Sequence, residues 1–279
     1  MTVDPRPPAL PPSSLLSLIG TATAPVIVDV RREPAFISDD FRLPAARRGD
    51  PESVDQWAAD LPSGPVLVYC VHGHEVSQNT ATRLIQLGRD ARYLEGGIDG
   101  WKELAYPTVR RLPLMTTLTG SLWITRERPK IDRLACPWLI RRFIDPDARI
   151  LYVPTAEVLS LAQQTKGIAF DIPGAPISHE GEFCSFDSLL RLFSLKAPGL
   201  DRLAAIIRGA DTSACHIAAE AAGLLALSLG LSRVIHDDQA LLQTAITLYD
   251  GLYAWCRDGQ TEAHEWPPKI LAKQGTDTP

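Results

Sequence analysis

The amino-acid sequence predicts an α/β fold, a doubly wound parallel sheet, followed by a mainly α-helical second domain of the α+β class. The chain has 279 residues, of which 45% are hydrophobic and 22% charged. This balance is typical of globular proteins, and the length suits two domains of roughly 100–200 residues. In the first part, short apolar runs alternate with helical segments, as in a parallel sheet covered on both faces. Beyond residue 107, helical periodicity dominates.

The first domain is predicted to follow a proline-rich tip. Residues 1–12 contain five prolines and are predicted to be disordered. Strands are predicted from β-branched apolar runs, and helices from capping residues, terminal glycines and acidic first turns. In chain order we predict a helix at 13–20, a strand at 25–30, a helix opening at 51–57, a strand at 65–70, a helix at 76–88, a strand at 91–94 and a helix at 97–104.

A predicted linker, residues 108–119, leads to the second domain, residues 120–257, and a tail follows at 258–279. Pro137 lies inside a helical pattern and is predicted to kink or restart the helix. Short apolar runs predict strands, and longer runs with helical spacing predict helices. The strands are at 120–125 and 149–153, and the helices at 131–144, 155–165, 185–193, 198–209, 213–229 and 237–256.

Composition argues against several classes of function. The formal net charge is −5, and neither half of the chain has the basic excess expected of a nucleic-acid-binding protein. The longest uncharged apolar stretch, residues 221–232, is far shorter than the ~20 residues of a membrane span. The first residues show no apolar secretory segment, and the five cysteines are widely spaced without a CxxC pair. We therefore expect a protein of the reducing cytoplasm, without nucleic-acid or membrane partners.

Cys70 is the residue with the clearest chemical environment in the sequence. It follows a predicted buried strand and precedes a helix, and Gly73 supplies the backbone freedom of a tight loop. At the carboxyl edge of a parallel sheet, loop N–H groups and the positive end of the next helix favour the thiolate, which is the nucleophile. On this feature alone, a buried structural cysteine is the more common explanation.

Three segments together resemble the rhodanese family: Asp29-Val30-Arg31 after the first strand, Cys70-x-x-Gly73 after the second, and residues 95–101 (EGGIDGW) after the third. Residues 43–45 (LPA) are similar to a further family segment. The resemblance covers residues 13–107. It implies that the Cys70 thiolate accepts a sulfane sulfur, becomes a persulfide and passes the sulfur to a nucleophile. The predicted substrate-binding residues are Arg31, Val71, His72, Gly73, His74, Glu75 and Val76.

The loop departs from the family pattern at Glu75, where sulfurtransferases usually have a basic residue. A carboxylate there opposes an anionic substrate such as thiosulfate, unless His72 or His74 is protonated. Val76 occupies the position where phosphatase relatives have an arginine, so phosphate chemistry is not supported. The histidines have the alternative of being plain exposed loop residues. We expect a sulfur carrier of unusual substrate preference.

A basic segment opens the second domain's first predicted helix. Four cations lie within eight residues at a helix start, where side chains and the helix dipole together suit an anion. The alternative is a solvated basic face above an ordinary apolar stripe. The candidate oxyanion-binding residues are Arg126, Arg128, Lys130 and Arg133.

A scatter of polar residues further along suggests a divalent metal. Residues 178–184 combine a histidine, two carboxylates and a thiol, and His216 and Glu220 are spaced to share a helix face. Imidazole, carboxylate and thiolate suit zinc or iron-like ions, although the compact HExxH and CxxC spacings are missing. The alternative is that these are ordinary polar residues of the protein surface and bind no ion. The candidate metal ligands are His179, Cys184, Asp211 and Glu220.

The second domain resembles the chromate-resistance ChrB-type domain over residues 120–257. The resemblance rests on residues 129–144, on 170–174 with His179 and 184–186, and on 208–212 and 221–226. It implies a role in resistance to chromate, a tetrahedral oxyanion.

The leading hypothesis is a cytoplasmic two-domain stress protein. Its Cys70 would carry sulfur between a small-molecule donor and an acceptor, and its second domain would bind an oxyanion or a metal. The alternative is a non-catalytic oxyanion or metal sensor with a degenerate first domain. A divalent metal in the second domain is the one cofactor that the residues suggest.

Overall fold

A computed structural model describes residues 6–113, 115 and 120–262 of the chain. The strands of these residues are short. They are β1 Ala9–Leu10, β2 Val26–Asp29, β3 Phe41–Arg42, β4 Arg47–Arg48, β5 Val66–Tyr69, β6 Ala91–Leu94, β7 Val109–Arg110, β8 Leu122–Arg126, β9 Arg149–Val153 and β10 Ile168–Ala169.

The helices are longest in the second half of the chain. They are α1 Pro12–Leu16, α2 Glu33–Ile37, α3 Val54–Trp57, α4 Glu75–Gln86, α5 Gly97–Glu103, α6 Asp132–Leu139, α7 Val158–Thr165, α8 Ser185–Leu192, α9 Leu200–Asp211, α10 Ala221–Val234 and α11 Asp238–Arg257. None of the helices in the described ranges combines the length and apolar character that crossing a membrane requires.

The first domain contains a five-stranded parallel sheet with the order β1-β6-β5-β2-β4. Its two central strands are buried on both faces. Ile27 and Leu67 face the main hydrophobic core, whereas Val28 and Val68 face a second cluster. Burial on both faces explains why these runs are apolar throughout rather than alternating. The predicted α/β class is confirmed.

The N-terminal tip differs from the prediction of disorder. The N–H of Tyr93 donates to the carbonyl of Pro8, and the N–H of Glu95 donates to that of Leu10, so β1 extends the sheet beside β6. Prolines lack an N–H donor but are tolerated on an edge strand. Residues 1–5 lie outside the described residues.

The second domain is built on a three-stranded parallel sheet with the order β10-β8-β9. Ile124 of β8 packs against Val158 and Ala162 of α7 on one face. On the other face Trp123 joins a large core with residues of α6, α8, α9 and α11. This mainly helical arrangement with a little sheet agrees with the predicted class.

Helix α6 contains the predicted proline disturbance. Pro137 cannot donate to the carbonyl of Arg133, and the Tyr152 hydroxyl donates to that carbonyl instead, at 3.1 Å. The following turn, Ile140–Ile144, widens into a π-helix. The beginning of α6 is therefore held in place by the strand β9, which positions its first residues.

The helix predicted at 213–229 begins eight residues later, at Ala221. Ser213 has a positive φ of 60°, which a right-handed helix does not allow, and Cys215–Ile217 form a separate 3₁₀ turn. His216 and Glu220 therefore do not share a helix face, and this part of the prediction is wrong. A Cβ on Gly209 would approach the Ala221 Cβ to 3.0 Å, so α9 and the start of α10 pack closely together.

The two domains share one continuous core. Gly20 ends the turn after α1 with a φ of 76°, and a side chain there would collide with the rings of Phe143 and Tyr253. The buried guanidinium of Arg42 donates to the carbonyl of Ile144 at 2.8 Å. These contacts fix the first domain against the end of α6.

Candidate functional site

Cys70 lies directly after β5, a central strand of the first sheet, and is 6% exposed. Its Sγ lies 3.2 Å from the Oγ of Ser77, in the first turn of α4. The segment between them, residues 70–76, is called the Cys70 loop below. Ser77 was missed from the sequence, although a hydroxyl at the start of the following helix is placed to reach back to the cysteine.

Two glycines allow the Cys70 loop to pack against the turn before α5. Gly73 has a φ of 71°, and a Cβ on it would lie 2.5 Å from the carbonyl oxygen of Leu94. Gly97 has a φ of 59°, and its Cβ would lie 2.5 Å from the nitrogen of Gly73. The N–H groups of Ile98 and Asp99 donate to the carbonyls of Cys70 and Val71, each at 3.0 Å. The resembling segments at 70–73 and 95–101 are thus parts of one packed turn.

The remaining loop residues surround this turn. The Nδ1 of His72 lies 3.2 Å from the Asp99 carboxylate, and its side chain is 63% exposed. His74 is the residue before α4, and its ring centroid is 6.0 Å from that of His72. Glu75 and Val76 line a cavity of about 510 Å³ beside the loop, and Cys70 is not among the lining residues.

Both signs of charge line this cavity. Arg32 and Arg83 contribute cations, and the acidic residues are Glu52, Asp55 and Glu75. The Arg83 guanidinium is engaged with the Asp55 carboxylate at 2.7 and 2.8 Å, and this pair lowers the pKa of Asp55. The cavity therefore lacks a strong positive field that would select dianions.

The structure places Arg31 away from the loop surface. Arg31 is 1% exposed, its guanidinium makes 2.6–3.0 Å hydrogen bonds to the Asp29 carboxylate, and it also donates to Asp39 and to the carbonyl of Phe41. This network braces the end of β2. The neighbouring Arg32, not Arg31, lines the cavity, so the prediction for Arg31 is corrected. The alternation of side chains along a strand does not predict from the sequence which of two residues beyond its end faces the cavity.

A second centre lies at the carboxyl edge of the second sheet. The Nε2 of His179 lies 3.1–3.3 Å from one carboxylate oxygen of each of three aspartates. Their side chains are 2–14% exposed, whereas that of His179 is 40% exposed. The Asp–His cluster consists of Asp132, Asp171, His179 and Asp211.

Four separate segments contribute to the Asp–His cluster. Asp132 is the first residue of α6, and Asp211 is the last residue of α9. Asp171 follows β10 and accepts a 2.8 Å hydrogen bond from the Ser185 hydroxyl. His179 lies in the loop that leads to α8. Arg133 also faces the cluster, with its Nε 3.2 Å from Asp171.

Burial and crowding shape the electrostatics of this cluster. Burial, reinforced by the neighbouring carboxylates, raises the pKa of Asp132 to about 7 although the hydrogen bond to His179 opposes the shift. Burial also raises the pKa of Asp211. The hydrogen bond to Asp132 raises the pKa of His179 to about 9. The site is rich in negative charge that the protein itself only partly compensates.

The structure brings together two of the four predicted metal ligands, His179 and Asp211. Cys184 lies nearby, but its buried thiol donates to Asp187 at 3.4 Å, and burial raises the thiol's pKa. Glu220 precedes α10 and does not contribute to the ligand atoms of Asp132, His179 and Asp211, which lie within 4.8 Å of one another; Asp171 joins them through its 3.3 Å contact with His179. Asp132 and Asp171 were not predicted as ligands, even though both lie in segments that carried the family resemblance.

The predicted oxyanion-binding cations are dispersed. Arg128 donates to the carbonyls of Ser232 and His236 and so caps the end of α10. Arg133 faces Asp171, Arg126 is exposed at the end of β8, and Lys130 is half-buried. An oxyanion site on these residues stays a prediction.

Comparison with known proteins assigns both halves of the chain to families. Residues 11–104 match the model of the rhodanese-like domain, and residues 123–256 match that of "ChrB, C-terminal domain". Protein ChrB of Cupriavidus metallidurans is 38% identical over 139 residues, which cover 50% of this chain and 41% of that protein. The chain thus matches less than half the length of this relative.

Solved structures match the first domain. A rhodanese-related protein from Thermoplasma volcanium is 24% identical over 37% of this chain and 97% of its own, with a TM-score of 0.33. A rhodanese homologue from the extreme thermophile Thermus thermophilus is 31% identical over 32% of this chain and 95% of its own, with a TM-score of 0.27. The two family matches alone show a rhodanese-like domain at residues 11–104 and a ChrB C-terminal domain at residues 123–256.

Proposed function

We propose that this chain is a chromate-resistance-related protein whose first domain carries sulfane sulfur on Cys70 as a persulfide. The observation that supports this most directly is the placement of Cys70. Its thiol lies between the end of a central parallel strand and the start of α4, 3.2 Å from the Ser77 hydroxyl. The dipole of α4 stabilises a negative charge on sulfur. The Ser77 hydroxyl donates to the His74 carbonyl at 3.2 Å, and turning it toward the thiolate would add a donor there.

The transfer consists of two displacements at sulfur. The Cys70 thiolate attacks the outer sulfur of a donor, forms a new S–S bond, and the donor's leaving group departs with the electron pair of the broken bond. An acceptor nucleophile then attacks the outer sulfur of the persulfide and regenerates the Cys70 thiolate. The loop's backbone N–H groups would hold the outer sulfur between these steps, and no further oxidant or reductant is needed.

The surrounding charges favour donors less anionic than thiosulfate. Glu75 is the first residue of α4 and lines the adjacent cavity, and Arg83 is neutralised by Asp55. A dianion entering here meets a carboxylate where a cation would assist it. Small thiol persulfides, which bear fewer charges, suit this environment better.

Thiosulfate and cyanide test the proposal, with thiocyanate production and the mass of the protein as readouts. We expect slow thiocyanate formation and a mass increase of one sulfur atom that maps to Cys70. Cys70→Ser should abolish both, while Cys215→Ser, the matched control at a half-buried thiol, should change neither. Absence of thiocyanate and of any persulfide on Cys70, with thiol persulfides also tried as donors, would refute sulfur-carrier function.

A non-catalytic binding or sensing module is the second candidate. Two observations favour it: Glu75 opposes anionic donors, and Cys70 is only 6% exposed. The same assay separates the two candidates, because a sensor would lack turnover even where it forms a stable persulfide.

A further inference from the structure

We propose that the second domain binds one divalent transition-metal ion through the four side chains of the Asp–His cluster and leaves one coordination position open to solvent. The site uses no residue of the Cys70 loop, so the proposal does not depend on sulfur transfer.

Positive charge is scarce around the cluster. One imidazole nitrogen lies within 3.3 Å of oxygens from three different aspartates and has at most one proton to donate. Ser185 donates to the facing oxygens of Asp132 and Asp171, at 3.3 and 2.8 Å, but these donors are neutral. The ligand atoms of Asp132, His179 and Asp211 all lie within 4.8 Å of one another. A divalent cation among these atoms would satisfy the three carboxylates and the imidazole at once, which no single proton does.

Thr125, which lies outside the cluster, has a hydroxyl without a partner among the described residues. Its Oγ1 is fully buried and has no hydrogen-bond partner in the described ranges. Thr125 is two residues from Trp123 in β8, so the two side chains lie on the same face of the sheet. Trp123 contacts Phe170 on that face, immediately before Asp171. The unpartnered hydroxyl is thus buried near the carboxyl edge of the sheet, on the face covered by α6 and α9, which carry Asp132 and Asp211.

The donor set indicates the class of ion. Three carboxylates and one imidazole suit Mn²⁺, Fe²⁺ or Zn²⁺, whereas Ca²⁺ prefers six to eight oxygen ligands. The thiols near the site are otherwise engaged or buried: Cys184 donates to Asp187, and Cys136 is fully buried. With Arg133 beside Asp171, a 2+ ion would bring the formal charge of the centre to neutrality.

The uneven burial of the four ligands argues for an open site. Asp132 is nearly inaccessible, with a side chain 2% exposed, whereas the His179 side chain is 40% exposed. The buried carboxylates would therefore bind the ion on its inner side, and the ion would contact solvent on the side of His179. Structural zinc sites are closed by four protein ligands in tetrahedral geometry, while sites that bind water or substrate keep a position free.

Binding of Mn²⁺ to the full-length protein tests this proposal. After removal of metals with a chelator, the protein is titrated with Mn²⁺ and the free ion is measured by electron paramagnetic resonance. Pulsed measurements then detect coupling of the bound ion to nitrogen. We expect one Mn²⁺ per chain with nitrogen coupling, and its displacement by one equivalent of Zn²⁺, which binds such sites more tightly.

Two variants and two matched controls locate the site. His179→Gln should remove the nitrogen coupling and weaken binding by about tenfold or more, and Asp211→Asn should weaken it similarly while the coupling remains. His216→Gln and Asp201→Asn change residues that lie outside the cluster, and both variants should bind Mn²⁺ as the wild type does. Circular dichroism checks that each variant is folded. Wild-type protein that binds no Mn²⁺, or nitrogen coupling that persists in His179→Gln, would overturn the proposal.

Discussion

The Cys70 loop and the Asp–His cluster are built in opposite ways. The loop is one continuous segment at the end of a strand, and its neighbours in space, at 95–101, follow the next strand of the same sheet. The cluster takes one residue from each of four segments that are far apart in sequence. The first kind of site can be found from local order, whereas the second depends on how the helices of a whole domain pack.

The two centres also differ in charge and in what holds them. Backbone hydrogen bonds and two glycines fix the Cys70 loop, so its geometry depends little on side-chain chemistry. Buried carboxylates form the Asp–His cluster, and such groups are costly unless a partner neutralises them. We therefore expect the loop to be sensitive to added volume and the cluster to be sensitive to removed charge.

The largest expected effect is that of Cys70→Ser, which should abolish sulfur transfer and leave metal binding unchanged. Replacing the only sulfur in the loop should eliminate persulfide and thiocyanate formation, because an alkoxide does not form at neutral pH and serine cannot carry a sulfane sulfur. Mn²⁺ binding should remain at one ion per chain. A loss of metal binding in this variant would contradict the independence of the centres.

Gly73→Ala should damage the loop strongly and leave the cluster intact. The added Cβ would lie 2.5 Å from the Leu94 carbonyl and 2.8 Å from the nitrogen of Gly96, at a φ of 71°. We expect a loss of about 2–4 kcal/mol in unfolding free energy and of most sulfur transfer, measured by denaturant titration and thiocyanate assay.

Gly88→Ala is the matched control for this substitution. Gly88 has a φ of 83°, yet a Cβ there would meet nothing within 4 Å. It should therefore cost only the backbone strain of about 1 kcal/mol and leave sulfur transfer unchanged. Equal effects at the two glycines would show that the loop's close packing does not matter.

These differences also explain what the sequence predicts well. The central strands β2, β5 and β6 and the helix α4 follow from apolar runs and spacing, because local pattern and tertiary packing agree there. The strand β1 could not be predicted, because it forms through hydrogen bonds from β6 and the residue after it to the carbonyls of Pro8 and Leu10. The late start of α10 follows from the positive φ of Ser213 and the separate turn at Cys215–Ile217, which helical periodicity does not reveal.

The candidate sites divide in the same way. Cys70 and its glycines are recognisable because the sulfur-carrying loop requires them in short segments with a fixed order. His179 and Asp211 could be singled out by residue type, but Asp132 was hidden in a segment interpreted as a basic anion site. Arg31 and Arg32 differ only in which way each side chain turns after β2, and the buried carboxylate of Asp29 decides this. Long-range packing therefore limits the prediction of sites more than that of strands and helices.

Metal addition should stabilise the wild type more than the Asp211→Asn variant, because tenfold weaker binding reduces the stabilisation to about 1.4 kcal/mol at the same Mn²⁺ concentration. At a free Mn²⁺ concentration of about 100 times the dissociation constant, binding contributes about 2.7 kcal/mol, which corresponds to a rise in Tm of roughly 5–10 °C for a chain of this size. Without metal, Asp211→Asn should melt at or above the wild-type temperature, because it removes one of three crowded carboxylates. Thermal unfolding with and without Mn²⁺ measures both effects, and a metal-free variant much less stable than the wild type would contradict the argument from charge.

The smallest expected effect concerns substrate preference at the Cys70 loop. Glu75→Gln keeps the shape of the side chain but removes the negative charge from the first turn of α4, so thiosulfate should be used more efficiently. Removing the repulsion between one carboxylate and thiosulfate at a partly exposed surface corresponds to about 1 kcal/mol, or roughly a fivefold rise in kcat/KM for thiosulfate. With a less anionic thiol persulfide as donor, the same substitution should change kcat/KM much less.

Glu52→Gln serves as the control, since Glu52 lines the same cavity but belongs to a different segment from the loop. If the preference arises at the loop, Glu52→Gln should have a clearly smaller effect than Glu75→Gln at equal ionic strength. An equal gain from both would instead assign the preference to the general field of the cavity. No gain from either would mean that the carboxylate at residue 75 does not explain slow thiosulfate use, and the limited exposure of Cys70 would then be the remaining physical cause.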